Sequence, residues 1–319
     1  MSAFHLVIGN RDKLKFPDRT VSIWELLDGG WRTYLTSLKY ATATGSNGAN
    51  LPPSNREAMF DCGAWSYLED EMPTWTPGQC HEHYDVLAQP GDVIFAPDHM
   101  VLPRHDPAEA ARRITITMDN ARQFLALHNG RATVPMAVIH GQTIPQRTDN
   151  ALALLEMGYR HLALGGVARL ASAPKRAIAT VEAIARLKQQ EAFYLHVLGI
   201  SAPTYWDTWQ ALGVDSFDGT GPFRAAFFGC YIGPDGREYG VEKDGRANTK
   251  KQPPVSEAPS CDCLACRTLK SYGYTPRTFG SNEHNMGRAV HNVNMYLRRY
   301  RQWQAGQSSS PVVYQKGLL

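Results

Sequence analysis

Two groups of residues in this chain have the types and spacing to do chemistry. In the first, polar side chains and glycines stand at or near the ends of short apolar runs: Asp61 after AMF, Asp98 after DVIFAP, His140 after VPMAVI, Gly165 and Gly166 after HLAL, His196 after AFYL and Asp218 after VDSF. Two carboxylates in different surroundings can divide the work of nucleophile and of proton donor or acceptor. Paired glycines let a ligand come close to backbone N–H groups. A single Asp in such a place is ordinarily a turn residue or a helix cap; six such positions in phase make a candidate site. The second group is Cys261, Cys263 and Cys266, the C-x-C-x2-C spacing of a tight metal loop, with histidines 18 and 25 residues after Cys266. Three thiolates and one imidazole fill a tetrahedron and leave no position for water, so a metal there is expected to be a Zn2+ that holds the fold together. His291, within RAVHNVNMYLRRY, is the favoured fourth ligand and His284 its competitor. CHEH, Cys80 to His83, has the composition of a metal site but follows a Pro-Gly turn and reads first as the start of a helix.

For residues so far apart in sequence to act together, the elements that carry them must converge. The apolar runs alternate with amphipathic stretches such as RTDNALALLEMGY and PKRAIATVEAIARLKQQ, the second with Ile178, Val181, Ile184 and Leu187 on helical spacing. Strand, helix, strand in repetition predicts a parallel α/β protein. No G-x-G-x-x-G fingerprint supports a doubly wound sheet, so the expected fold is a (β/α)8 TIM barrel, whose strand ends all open on one face, with a small C-terminal zinc-binding subdomain. The expected organisation is one barrel domain over 1–319, with the zinc subdomain inserted at about 245–305. Met1 to Ala58, including ATATGSNGANLPPSN, reads as barrel entry plus a mobile loop, and the tail QAGQSSSPVVYQKGLL as partly flexible.

Composition excludes several classes. With 43% hydrophobic and 20% charged residues among 319, disorder is not the default. No run approaches the roughly 20 apolar residues of a membrane helix, and MSAFHLVIGNRDK has neither a basic leader nor a long apolar centre. A cytoplasmic protein is therefore expected, in which the six cysteines serve a metal rather than a disulfide framework. The net charge of +3 conceals an asymmetry, because residues 221–319 hold 14 Lys and Arg against 7 Asp and Glu. Arg298, Arg299 and Arg301, near Tyr296, Tyr300 and Trp303, read either as a track for a phosphate backbone or as a solvated helix face.

Taken in order, these segments resemble the tRNA-guanine transglycosylases. FDCGAWS resembles that family's D-S-G-G-F/Y-Q segment, DVIFAPDHM its D-I-x-M-A-F-D-E-C strand, AVIHGQ its G-I-V-Q-G-G, ALGG its Gly-Gly base-binding turn, and ALGVDSFDGTGPFR its G-V-D-M-F-D-C-V-x-P-T-R. C-x-C-x2-C followed by His291-Asn292 resembles its zinc module, so the likeness runs from about Phe60 to Asn292. It implies a (β/α)8 barrel with structural Zn2+ and an enzyme that exchanges guanine for a 7-deazaguanine base, such as 7-cyano-7-deazaguanine, at an N-glycosidic bond. By this resemblance Asp218 is the nucleophile of a ping-pong exchange through a covalent glycosyl-enzyme, and Asp61 is the general acid/base. Asp98 accepts hydrogen bonds from a guanine-like edge, backbone N–H groups at Gly165, Gly166 and Val167 reach the carbonyl oxygen, and Trp65 and His196 sandwich the base. Cys261, Cys263, Cys266 and His291 hold the zinc.

The departures bear on the partner. His140 stands where the family has glutamine, with a ring still able to donate to a carbonyl oxygen, and Cys62 replaces serine. Where the tRNA enzymes read P-T-R-S-G-R, this chain reads PFRAAFFG, which keeps Arg224 and lacks the second arginine. A branch of the family inserts 7-deazaguanine derivatives into DNA in bacterial and phage modification systems, and this chain looks more like that branch. DNA is the expected partner and tRNA the alternative; the target base must leave its stack in either. A third reading, a non-catalytic nucleic-acid-binding subunit, is disfavoured by the presence of both Asp61 and Asp218. The family also implies a possible homodimer or partner protein.

Overall fold

Proline near a helix start recurs along this chain and marks where strands hand over to helices. In a computed structural model, which describes residues 1–9, 12–41, 56–170, 173–243, 246–247 and 252–307, helix α1 (Pro77–Leu87) is capped by the Thr76 side chain, and Gln79 returns the bond to the Thr76 N–H. Helix α2 (Pro107–Leu127) is capped by Asp106, and α3 (Ile144–Glu156) by Thr143 with Gln146 in the same reciprocal role. Proline loses nothing in the first turn, where its missing N–H would have no partner, and each cap contributes about 1 kcal/mol. Helix α4 (Pro174–Ala185) buries Val181 and Ile184 as its spacing predicts, Ile178 is half-buried with Ala177 buried beside it, and Leu187 follows, buried, in a 3-10 turn. Helix α5 (Trp206–Ala211) precedes the last barrel strand.

Eight parallel strands close into a barrel: β1 (Ala3–Val7), β2 (Thr33–Ser37), β3 (Glu57–Asp61), β4 (Val93–Phe95), β5 (Val134–Ile139), β6 (His161–Leu164), β7 (Tyr194–Val197) and β8 (Ser216–Gly219). Each pairs with its neighbours in sequence order, and β1 pairs with β8 to complete the ring. Leu35, Met59, Phe95, Met136, Val138 and Ala163 form a buried cluster contributed by β2 to β6. The expected (β/α)8 architecture is thus present. Six strands lie where the apolar runs are; β1 and β2 come from the segment that the sequence marks only as barrel entry. β7 runs from Tyr194 to Val197 and does not end with the apolar run at Leu195, so His196 lies within the strand rather than after it. Residues 42–55, which hold most of the Gly/Ser/Asn-rich loop, and the tail from 308 onward lie outside the described residues.

By packing, the described residues fall into two units, one formed by those of Met1–Asn10 and Arg32–Gly219, the other by those of Arg11–Trp31 and Thr220–Leu318. The first is the barrel. The second extends beyond the expected 245–305 because the hairpin Lys13–Lys15 with Thr20–Ser22 and the stretch after Gly219 belong to it. It contains α6 (Gly221–Phe227), the hairpin Cys230–Ile232 with Glu238–Gly240, α7 (Leu264–Ser271) and the long α8 (Asn282–Gln304). Two buried asparagines of α8 serve as polar pins. The Asn292 amide accepts from Ile232 N–H at 2.8 Å and donates to Cys230 O at 2.9 Å, while Asn294 accepts from Asp28 N–H at 2.7 Å and donates to Leu26 O at 2.9 Å. Buried amides with both ends paired carry no desolvation penalty and fix one arrangement. The basic run of this helix is partly turned inward: Arg301 donates to Asp28 O at 2.6 Å and covers the Trp31 ring, and Arg298 lies 3.4 Å from the Asp28 carboxylate. None of the helices among the described residues is long and apolar enough to cross a membrane.

Candidate active site

Successive side chains of a strand point to opposite faces, and all strands of the barrel run the same way, so residues at their C-terminal ends meet at one mouth. Asp61 ends β3, while Asp98, His140 and Gly165 follow β4, β5 and β6 within three residues. The ligating atoms of Asp61, Cys62 and Asp98 all lie within 4.8 Å of one another. Burial foremost, then the negative charges of Asp98 and Asp218, raise the Asp61 carboxyl from 3.8 to about 7, against hydrogen bonds from Gly63 N–H and Cys62. A carboxyl so poised can donate or accept a proton at neutral pH. Asp218 is near enough to act on it through space, although the two are far apart in sequence.

Asp98 is held on every side. The Cys62 thiol donates to Oδ1 at 3.0 Å, His140 Nε2 lies 2.6 Å from Oδ2, and the Tyr67 hydroxyl donates to the Asp98 main-chain carbonyl at 3.0 Å. Burial and the neighbouring Asp98 and Asp61 charges push the Cys62 thiol well up, so it is a protonated donor here and not a nucleophile. Each Asp98 oxygen has a second lone pair able to accept a further hydrogen bond. His140 Nδ1 is buried with no hydrogen-bond partner among the described residues.

That nitrogen faces the glycine turn. A Cβ built on Gly165 would lie 2.6 Å from His140 Cε1 and 2.7 Å from Val138 Cγ1, and Gly166, at φ +70°, would bring a Cβ to 3.2 Å from Val101 O. Only glycines fit at both positions. Arg147, itself buried, donates to Gly165 O at 2.7 Å and fixes the turn, and Val167 is wholly buried.

His196, which the family likeness casts as a stacking residue, presents no exposed ring. It is fully buried inside β7, with Nδ1 2.6 Å from Ser216 Oγ and Nε2 3.1 Å from Asp218 Oδ1. The register explains this: His196 lies opposite Ser216, and Asp218 is two residues further along β8 on the same face. Gly199 N–H donates to the same Asp218 oxygen at 2.8 Å. Trp65, on the turn after β3, is 56% exposed, with the Arg169 guanidinium 4.7 Å above its ring, an arrangement suited to a stacking platform at the rim. Arg224 lies on α6 in the second unit, exposed.

The sequence reading passed over Tyr67, Arg147, Gly199 and Ser216. Ser216 had a signal, since a residue two before a strand-borne carboxylate shares its face. Arg147 had none, because an arginine on an amphipathic helix reads as solvated.

In the second unit, Cys261, Cys263, Cys266 and His291 bring their ligand atoms within 4.8 Å of one another. His291 Nε2 donates to Ile232 O at 2.7 Å, so its proton is there and the Nδ1 lone pair faces the thiols, 3.2 Å from Cys266 Sγ. The ring stacks on Tyr231 at 4.2 Å. This donor set suits a tetrahedral metal. His284 stands apart, half-buried at the start of α8 and paired with Ser281. Cys80 and His81 of CHEH are buried within α1, where the His81 ring stacks on Phe124.

Parallel barrels carry their chemistry at this end of the strands, and here Asp61, Asp98 and the Gly165–Gly166 turn stand at that end of a parallel α/β barrel. The chain belongs to the family described as queuine tRNA-ribosyltransferase, which matches residues 88–305; Asp61 and Trp65 precede that segment. It is 31% identical over 199 residues to a DNA-guanine transglycosylase from Salmonella montevideo, covering 59% of this chain and 47% of the relative. It is 28% identical over 227 residues to a queuine tRNA-ribosyltransferase from Chlamydia trachomatis, covering 67% of this chain and 57% of the relative. The chain thus spans about half the length of the curated relatives it matches.

Proposed function

We propose that this chain is a guanine transglycosylase that exchanges guanine for a 7-deazaguanine base in DNA. The reading rests on one observation above others: Asp61 and Asp218 interact across the barrel mouth, with Asp61 raised to about 7. Asp218 attacks C1′ of the target nucleotide as the bond to guanine breaks, and Asp61 supplies the proton that the departing base needs. Asp61 then takes a proton from the entering base, which attacks C1′ and releases the Asp218 carboxylate. Asp98, His140 and the Gly165 to Val167 backbone read the base edge, Trp65 offers an aromatic face, and Arg224 serves the nucleic acid. The cluster of Cys261, Cys263, Cys266 and His291 holds a zinc ion, whose closed ligand set supplies stability and no reaction step.

DNA is favoured over tRNA by the likeness to the Salmonella protein and by PFRAAFFG, which lacks the second arginine of the tRNA enzymes. Incubation with labelled guanine or 7-cyano-7-deazaguanine and either DNA or tRNA tests the assignment. Incorporation into DNA, abolished by Asp218→Asn, is the expected result. Incorporation into tRNA alone reverses the choice of partner, and binding of both nucleic acids without incorporation leaves an accessory subunit.

A further inference from the structure

The Ser216, His196, Asp218 line has the residue types of a hydrolase triad, but Ser216 and His196 are both fully buried, so that serine cannot be the group that attacks. The hydrogen bonds run the other way. Asp218 Oδ1 is an acceptor for Gly199 N–H at 2.8 Å and for His196 Nε2 at 3.1 Å. An accepting carboxylate puts the ring proton on Nε2, and the bare Nδ1 then accepts from Ser216 Oγ at 2.6 Å. Oδ2 has no hydrogen-bond partner among the described residues. His5, on the adjacent β1, packs edge-on to His196 at 5.9 Å and, held neutral by burial and by His196, adds no charge. Gly199 is committed to its place: its φ is +76°, and a Cβ there would meet Ala168 Cβ at 2.9 Å.

We propose that His196 is a positioning residue for the nucleophile, an inference that rests on the reading of Asp218 given above. With Gly199 it holds Oδ1, so that Oδ2 forms the bond to C1′. When the entering base attacks C1′ and the Oδ2–C1′ bond breaks, its electron pair returns to the carboxylate, which the same two donors stabilise. The Nε2 proton stays on the ring throughout. Donors aimed at a carboxylate favour its charged form, so their effect falls mainly on release of the glycosyl group, the second half-reaction.

His196→Leu, His196→Gln and Ser216→Ala test this, with Asp218→Asn alongside. Loss of one preorganised donor is expected to lower kcat about 100-fold in His196→Leu, while KM for the base stays within about threefold. The protein–nucleic acid adduct trapped by denaturation should accumulate. His196→Gln, which returns an amide donor, should recover much of the rate, and Ser216→Ala should lose less than His196→Leu. A raised KM with kcat preserved would make His196 a base contact and overturn the proposal, as would a Gln variant no better than Leu. Should the Leu variant fail to fold, the Gln and Ser216→Ala rates decide. A readout independent of turnover is the 15N spectrum of the free protein: the Nε2–H tautomer of His196 is expected, and an Nδ1–H tautomer refutes the arrangement. If Asp218→Asn still exchanges bases, the functional reading fails; if it is inactive while His196→Leu is native in rate, only this inference does.

Discussion

Asp61→Asn should stabilise the protein, by an amount that grows with pH. The Asp61 carboxyl has an ordinary value of 3.8 and is raised to about 7 in the fold, so between these values the unfolded chain has released a proton that the folded one retains. A group with a raised folded-state value contributes its full stability below the unfolded value and loses it as pH rises through the folded one. A shift of about three units at 1.36 kcal/mol each sets a ceiling of about 4 kcal/mol. Asparagine keeps the shape and never ionises. The two proteins should therefore unfold alike near pH 4 and differ by up to about 4 kcal/mol at pH 8, less whatever the amide forfeits at Gly63 N–H. Urea unfolding of both proteins in steps from pH 4 to pH 8 measures the gap. A gap that stays flat with pH, or an Asn variant weaker than the parent at pH 8, would show that Asp61 is not strained by burial and by its carboxylate neighbours.

Gly165→Ala should abolish base binding while the barrel persists, because the added methyl would lie 2.6 Å from His140 Cε1; calorimetry with 7-cyano-7-deazaguanine checks this. Trp65→Ala should leave stability within about 0.5 kcal/mol, as its exposure of 56% implies, yet weaken nucleic-acid affinity about tenfold, worth the ~1.4 kcal/mol of a lost stacking face. Metal analysis should find zinc at one ion per chain, and Cys266→Ser or prolonged chelation should remove it and lower the unfolding temperature. Met136→Ala, in the buried barrel cluster, should cost about 2–5 kcal/mol in urea unfolding with no change in KM.

The sequence revealed the barrel where residue periodicity and turn chemistry agree. The runs before Asp61, His140 and Gly165 are strands, and α1 and α2 start at Thr76-Pro77 and Asp106-Pro107. AFHLV and TYLTS, by contrast, are not followed by a long amphipathic stretch, only the short helix Leu38–Ala41 coming after the second, so β1 and β2 were not separable from loop. Placing His196 required more than locating its run. The run AFYL reads as ending before His196, whereas β7 continues through Val197; the ring then stands within the strand, on the face that Ser216 and Asp218 share. The Cys3His cluster was legible because ligand spacing is local; its choice of His291 over His284 follows from the buried face of α8, which one sequence does not display. Arg301, which reads as a charge for a partner, is instead engaged by Asp28, a residue some 270 positions earlier.

The ring closes where Ala3 meets Ser216, Phe4 meets Phe217 and His5 meets Asp218. During synthesis that seam cannot zip until more than two hundred residues have left the ribosome, and pairing across such a span forms late. The strand bearing Asp218, the proposed nucleophile, is accordingly the last stave of the cask. On the proposed reading, a nascent or partly folded chain holds no armed nucleophile, because the bonds from His196 and Gly199 to Asp218 form only with the finished fold. Transient parting of this seam would silence the protein before it unravels, and amide exchange at Phe4 and Phe217 would register that event.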